Sequence, residues 1–329
     1  MQVFLSQIDG LKRYKDRGVF YEMVEPYKFM ELSFGGADTV RVYPKGTISL
    51  DQTGLKWIAV LFMTVDHIAV YLQNVDFIVN HYTILRILGR IAAPIFLYCF
   101  VETMHHTKSR KAVLLRLYGA NLCCNLITIV CNLTAPDVFG FRWVSNIMPT
   151  FLYTAIAILL LDRFFQAIQV KEWKTCGFMV LICAILLLFY LTGPTLYDFV
   201  SSRFSTDAES RQTVSGLLRT LLPSPYYVDY SWLFILLGVL WYYFRDKKKQ
   251  MGIFLVFCIA SFLGERSGFS PTNFSDFFSD NQYWMLLALP ILCLYNGRRG
   301  KGHKNFFYVY YPLHILVILG INFLVGQYA

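Results

Sequence analysis

The stretch Lys56-Trp-Ile-Ala-Val-Leu-Phe-Met-Thr-Val-Asp66-His67-Ile-Ala-Val70 decides the fold class. Its apolar residues form a continuous run rather than an alternation, which reads as a helix and not as a strand. A helix crossing the roughly 30 Å hydrocarbon layer needs about 20 such residues. Working outward, comparable runs lie at 56–75, 84–103, 113–133, 143–162, 175–193, 229–244, 251–264, 282–296 and 306–325. Inside a bilayer only helices and closed barrels satisfy the backbone, and continuous runs favour helices. The expected fold is therefore all-α, a polytopic membrane bundle of about nine transmembrane helices. The run 251–264 is short, and is expected to tilt or to be partly buried in protein. The stretch Thr213–Leu222 is apolar but too short to span, and reads as a re-entrant or interfacial piece.

The bulk numbers agree. Of 329 residues, 56% are hydrophobic and 16% charged, with mean hydropathy +0.46. Ordinary soluble domains have about 45–50% apolar and about 25% charged residues. This composition excludes a disordered chain and a nucleic-acid-binding domain, and a soluble fold of this length has no way to hide so much apolar surface. The net charge of +9 is explained by where the Lys and Arg residues fall. Counting loops alternately, 23 lie on one side of the nine runs, five on the other, and Arg86 and Arg90 within a run. The rule that cytoplasmic loops are basic then places the N-terminus inside. Residues 1–55 lack the apolar core and small-residue cleavage site of a signal peptide. They read as a cytoplasmic or interfacial extension preceding a transmembrane domain over 56–329. The eight cysteines all lie in apolar runs, without a C-x-x-C pair or metal-ligand spacing, and read as small apolar filler; no metal is expected. No phosphate-binding G-x-x-x-x-G-K-[ST] or H-E-x-x-H motif is present, and no internal repeat is visible.

The remaining signal is the set of ionisable residues inside the runs, which are expensive there and mark function. Lys56 and His67 are eleven residues apart, three helical turns, and so share a face about 16 Å apart along the axis. Asp66 lies about 100° around that helix and suits orientation of a neighbouring group. Arg86 and Arg90, four apart, share a face of the next helix and need anionic company. Asp66 paired with Arg90 is one structural reading; Arg86, near the outer interface, has the option of snorkelling to water. Glu102 stands near the inner end of the same run, and His314 a third of the way into the last. Asn121 and Asn125 share a face and read as interhelical hydrogen-bonding groups. His105 and His106 border a basic loop and read as surface residues.

These residues resemble the TraX family, membrane proteins associated with N-terminal acetylation of conjugative pilin. The resemblance runs through Gly54-Leu-Lys56-Trp-Ile-Ala, Asp66-His67-Ile and Leu85-Arg86-Ile-Leu-Gly89-Arg90-Ile-Ala-Ala-Pro94-Ile-Phe96. It continues in Glu102, His106-Thr107 and Leu115-Arg116-Leu117. At the C-terminal end it covers Leu289-Pro290, Leu294-Tyr295-Asn296-Gly297 and Phe307-Tyr-Val-Tyr-Tyr311-Pro312-Leu313-His314. It spans about residues 52–329 and rests mainly on hydropathy between about 165 and 280. Such proteins are in turn similar to a wider superfamily of transmembrane acyltransferases, which carry a basic residue, ten intervening residues and a His on the first span, as Lys56 and His67 do here. The resemblance implies an acyltransferase, most simply an acetyltransferase, that takes acetyl-CoA or another acyl-CoA from the cytoplasmic side. It places the protein in a bacterial cytoplasmic membrane. His67 is the implied general base, with Asp66 beside it, since imidazole titrates in the right range. Lys56 and Arg116 are implied to bind the donor. Arg86, Arg90, Glu102, Asn296, Tyr311 and His314 are candidates for substrate or oxyanion contacts. Acceptors left open are a pilin-like N-terminus, a small amine, a membrane lipid and an envelope sugar. The alternative from a different class is a proton-coupled transporter of an anionic solute, with Asp66, His67, Glu102 and His314 as the relay.

Overall fold

The computed structural model describes residues 49–134, 146–204, 207–267, 281–301 and 304–328. The N-terminal extension read from the sequence lies outside the described residues up to position 48. Eleven α-helices are described: α1 Gln52–Tyr71, α2 Asp76–Gly89, α3 Ala92–His106, α4 Arg110–Thr134, α5 Met148–Gln169 and α6 Trp173–Phe204. They are followed by α7 Ala208–Leu221, α8 Ser231–Tyr243, α9 Lys247–Arg266, α10 Ala288–Cys293 and α11 Lys304–Tyr328. Short 3₁₀ turns stand at Pro225–Tyr227 and Gln282–Leu287. Among the described residues the only β pairing is the isolated bridge Leu50–Tyr295.

Five helical stretches are long and apolar enough to cross a membrane: Gln52–Tyr71, Asp76–His106, Arg110–Val130, Met148–Gln169 and Trp173–Phe204. The remaining apolar runs fall on shorter or more charged helices. The 13 residues of α8 rise only about 20 Å, short of the hydrocarbon thickness. Yet Phe234, Leu237, Trp241 and Tyr242 of α8 are fully buried, in one core with Leu55 of α1, Ile95 and Leu97 of α3, Ile158 of α5 and Phe254 of α9. α6, by contrast, shows Leu181, Ile185 and Leu188 on the outside. A helix whose apolar side chains point outward is one whose neighbour is lipid.

The run expected at 84–103 differs from the single span read there. It begins earlier, at Asp76, and breaks at Arg90–Ile91 between α2 and α3. Pro94 accounts for the break: a proline lacks the N–H that would reach back four residues, and its ring collides with that carbonyl, here that of Arg90. At the end of α2, Gly89 is where α1 comes closest, since a Cβ added there would overlap the Asp66 carboxylate. Gly89→Ala is therefore expected to cost about 1–3 kcal/mol through overpacking, read as a lower thermal-unfolding midpoint of the detergent-solubilised protein.

The chain entering α1 is stitched to the loop before α11. Leu50 N–H donates to the Leu294 carbonyl, Asn296 N–H to that of Leu50, and Gln52 N–H to that of Arg298, each at 2.9 Å. Asp51 caps α1 through Gly54 N–H at 2.7 Å. The Thr53 hydroxyl donates to the Lys301 carbonyl at 2.9 Å. Gly300 has φ +71 and no room for a Cβ beside Asp51 and Thr53, so only glycine suits that turn. Arg245 bonds Glu102 at 2.5 Å, Lys247 reaches the Tyr295 carbonyl at 2.6 Å, and Arg110 bonds Asp162 and Tyr242. The basic loops before α4, α9 and α11 thus gather with the start of α1 at one end of the bundle.

Candidate functional site

A cavity of about 170 Å³ opens among α1, α3, α4, α5 and α11. Lys56, Val60 and Met63 line it from α1, one helical stripe in steps of about a turn. Arg116 of α4 and Arg299 of the stitched loop also line it. Phe96, Phe100, Phe151 and Phe307 supply apolar surface, and Phe100 and Phe151 stack with ring centroids 5.0 Å apart. Lys56 Nζ lies 5.8 Å over the Phe307 ring. Lys56 and Arg116, the implied donor-binding residues, both line the cavity; Arg299 joins them without a signal in the sequence beyond its basic loop.

His67 is the next rung of the α1 stripe, just beyond the cavity lining. Its Nδ1 lies 2.6 Å from Nε2 of His314, with the two rings nearly parallel. His314 Nδ1 is 2.9 Å from the Tyr310 carbonyl. A carbonyl only accepts, so His314 Nδ1 carries the proton, and neutral His314 presents a lone pair at Nε2. His67 Nδ1–H then donates to it, which leaves the His67 Nε2 lone pair as the basic end of the chain. Tyr310, absent from the sequence-level site, links this pair to the cavity. Its ring lines the cavity and stacks on His314 with centroids 5.1 Å apart. Its hydroxyl lies 2.6 Å from Thr64, whose own proton goes to the Val60 carbonyl at 2.8 Å, so Tyr310 is the donor. The signal in the sequence was its position one turn before His314.

The other candidates separate. Asp66 accepts from Arg86 Nη1 at 2.7 Å. Arg86 thus turns into the protein instead of snorkelling, because Gly89 lets α1 and its Asp66 press against α2. Arg90 is buried at the α2–α3 break, within electrostatic reach of Asp66 and Tyr230. Tyr311 lines the cavity, and its hydroxyl accepts from Ile147 N–H at 3.2 Å. Glu102 is not on the cavity wall: it bonds Arg245 and lies 3.5 Å from the Tyr295 hydroxyl. Asn296 works in the stitched loop, bonding Ser49 at 3.3 Å and accepting from Arg298 N–H at 2.9 Å.

Two polar clusters hold the frame. Asn121 and Asn125 do join helices, through Asn146, whose Nδ2 reaches both their carbonyl oxygens, and through the Thr220 carbonyl of α7. Asp162, 2% exposed, gathers Arg110, Tyr242 and Tyr243. His105, expected at the surface, is buried and stacks on Tyr242 with centroids 4.1 Å apart. The imidazole is flat enough to pack between α3 and α8, and that burial is what its place beside a basic loop concealed.

Long apolar helices around a largely apolar cavity that three cations line define an integral membrane protein of the polytopic helical class. The chain belongs to the TraX family: the family model described as TraX protein matches residues 51–204 and 205–322. No curated protein and no solved structure matches the chain.

Proposed function

We propose that the protein is a membrane-embedded acyltransferase that moves an acetyl or other acyl group from acyl-CoA to an amine or hydroxyl acceptor. The observation that carries this reading is the α1 stripe: Lys56 with Arg116 and Arg299 on the cavity wall, and the His67–His314 pair one rung past it. Membership of the TraX family is consistent with acetylation of pilin. The three cations suit the phosphates of CoA. The largely apolar cavity beside the cations suits the pantetheine arm, whose thioester then arrives beside Met63 and Tyr310. His67 Nε2 takes the proton of the acceptor nucleophile as it attacks the thioester carbon. The carbonyl oxygen becomes an oxyanion, which the positive charge of the buried Arg90 at the α2–α3 break stabilises. The C–S bond then breaks, and the CoA sulfur leaves with its electron pair and collects a proton. His314 positions His67 and shares no bond with substrate. Asp66 holds Arg86 and fixes α1 against α2.

The same reading gives the topology. The 23-to-5 asymmetry of Lys and Arg supports nine crossings with the N-terminus cytoplasmic, the shorter helices being accommodated within the bundle. It puts the cavity mouth on the cytoplasmic side of a bacterial inner membrane, where acyl-CoA is made, with residues 1–55 as an extension of the 56–329 transmembrane domain. The test is equilibrium binding of acetyl-CoA to the purified protein. Lys56→Gln and Arg116→Gln are each expected to weaken it about 10–100-fold, the worth of one hydrogen bond to a charged group. Equal affinity in both variants and wild type removes these residues from the donor site. Failure of the folded wild-type protein to bind acetyl-CoA or longer acyl-CoAs removes the reading itself.

A further inference from the structure

The long helix α6 leaves a second cavity outside the site above. Its 32 residues reach about 48 Å, more than the roughly 30 Å hydrocarbon layer, so its last turns emerge from the apolar slab. α7 packs back along them. The far end of α7 enters the bundle: its Thr220 and Leu221 carbonyls accept from Asn121 Nδ2 and the Tyr118 hydroxyl of α4. This agrees with the re-entrant or interfacial reading of Thr213–Leu222. Arg211, Ser215 and Arg219 follow one another at four-residue steps and so form one face of α7. With Gln212 they meet Asp198 and Ser201 of α6 across a cavity of about 330 Å³.

The charges are sparse on this part of the chain. Between Lys174 and Arg245 there are three arginines and no lysine, and two of the three, Arg211 and Arg219, line this one cavity. Arg211 is at its exposed end, and Arg219 is about 12 Å further along the helix. The Arg219 guanidinium lies 3.7 Å over the Tyr227 ring. Its Nε is buried with no hydrogen-bond partner among the described residues. Stacking on an aromatic face stabilises a guanidinium but does not satisfy a buried N–H, which calls for an acceptor. Two guanidinium groups, the Ser215 hydroxyl and the Gln212 amide line this cavity with donor groups, while the Ser201 hydroxyl gives its proton to the Asp198 carbonyl. Volume is not limiting, since the space is of the size that small ligands occupy.

We propose that the α6–α7 cavity is a binding site for an oxyanion, the phosphate or carboxylate of a small molecule or of a lipid headgroup, separate from the cavity at Lys56. Arg219 binds it at the inner end and Arg211 at the mouth. The exposed Asp198 carboxylate on the same wall favours a ligand whose oxyanion is accompanied by an ammonium group. The site stands on its own geometry and does not depend on acyl transfer.

The experiment titrates inorganic phosphate into the purified full-length protein in neutral detergent at constant ionic strength, and reads the thermal-unfolding midpoint. The expected result is saturable stabilisation, with affinity at least about tenfold weaker in Arg219→Gln and in Arg211→Gln. The latter changes an exposed side chain and so keeps the test clear of folding defects. In Lys56→Gln/Arg116→Gln the phosphate effect is expected to survive. Nanodiscs containing phosphatidic acid that compete with phosphate identify a lipid headgroup as the natural source; nanodiscs without effect identify a soluble one. Absence of saturable stabilisation overturns the proposal, as does a curve unchanged in both α7 variants or lost only in Lys56→Gln/Arg116→Gln.

Discussion

His67→Ala is expected to lower the rate of acyl transfer by about 10²–10⁴-fold, the usual contribution of a positioned general base, while acetyl-CoA affinity stays at the wild-type value. The proposed function assigns the donor to Lys56, Arg116 and Arg299, and His67 does not line their cavity. The partner residue makes the prediction sharper. His314 fixes the tautomer of His67 through the 2.6 Å contact, so His314→Ala leaves His67 in place but free to turn. It is expected to lower kcat by less than His67→Ala does, with KM for the donor little changed. His314→Gln retains an amide oxygen able to accept from His67 Nδ1–H, and is expected to recover part of the rate. A purely structural His314 predicts no difference between the Ala and Gln variants. A wild-type rate in His67→Ala overturns the assignment of the base.

The second large effect falls on stability. Asp162→Ala leaves the Arg110 guanidinium and the Tyr242 and Tyr243 hydroxyls without their shared acceptor. Removing one partner of a buried ion pair costs about 3–5 kcal/mol. The Arg110 side chain keeps 25% exposure, which places the expected loss at the lower end of that range. The thermal-unfolding midpoint in detergent reads it. The double variant Arg110→Met/Asp162→Leu, which exchanges the pair for apolar volume, is expected to lose much less. Asp162 is not on the cavity wall, so acetyl-CoA binding below the unfolding temperature is expected to be preserved in both. A midpoint for Asp162→Ala equal to wild type contradicts this account of how α4, α5 and α8 are held together.

How much of this was legible in the sequence follows from what range each signal has. The all-helical class and the positions of the apolar runs are local properties, carried by composition over windows of about 20 residues. Lys56 and His67 on one stripe follow from helical geometry alone. The break at Arg90–Ile91 was also written locally, in Pro94, but a window average passes over a single proline. Pairings between distant residues were out of reach. Nothing near Asp66 in the chain distinguishes Arg86 from Arg90 as its partner; the small Gly89 does, by setting how closely α1 approaches. Glu102 stands out in the sequence as an ionisable residue near the end of an apolar run, and Asn296 only through the resemblance. The structure gives Glu102 to Arg245 and Asn296 to the loop that fastens the start of α1. Asp162 sits at the end of an apolar run where a carboxylate looks solvated, and only the arrival of Tyr242 and Tyr243 from α8 buries it. The α6–α7 cavity needs two polar faces to meet, and each face alone reads as an ordinary amphipathic surface.

The central claim is that the cavity with cations on its wall delivers an acyl-CoA to His67. The most direct measurement is release of free CoA from acetyl-CoA by the purified wild-type protein in detergent, across a panel of amine, sugar and peptide N-terminal acceptors, with His67→Ala beside it. The account predicts saturable release that rises with at least one acceptor and is lost in His67→Ala. No release from acetyl-CoA or longer acyl-CoAs by a folded sample, together with uncoupler-sensitive uptake of an anionic solute into proteoliposomes, contradicts it and makes the protein a transporter.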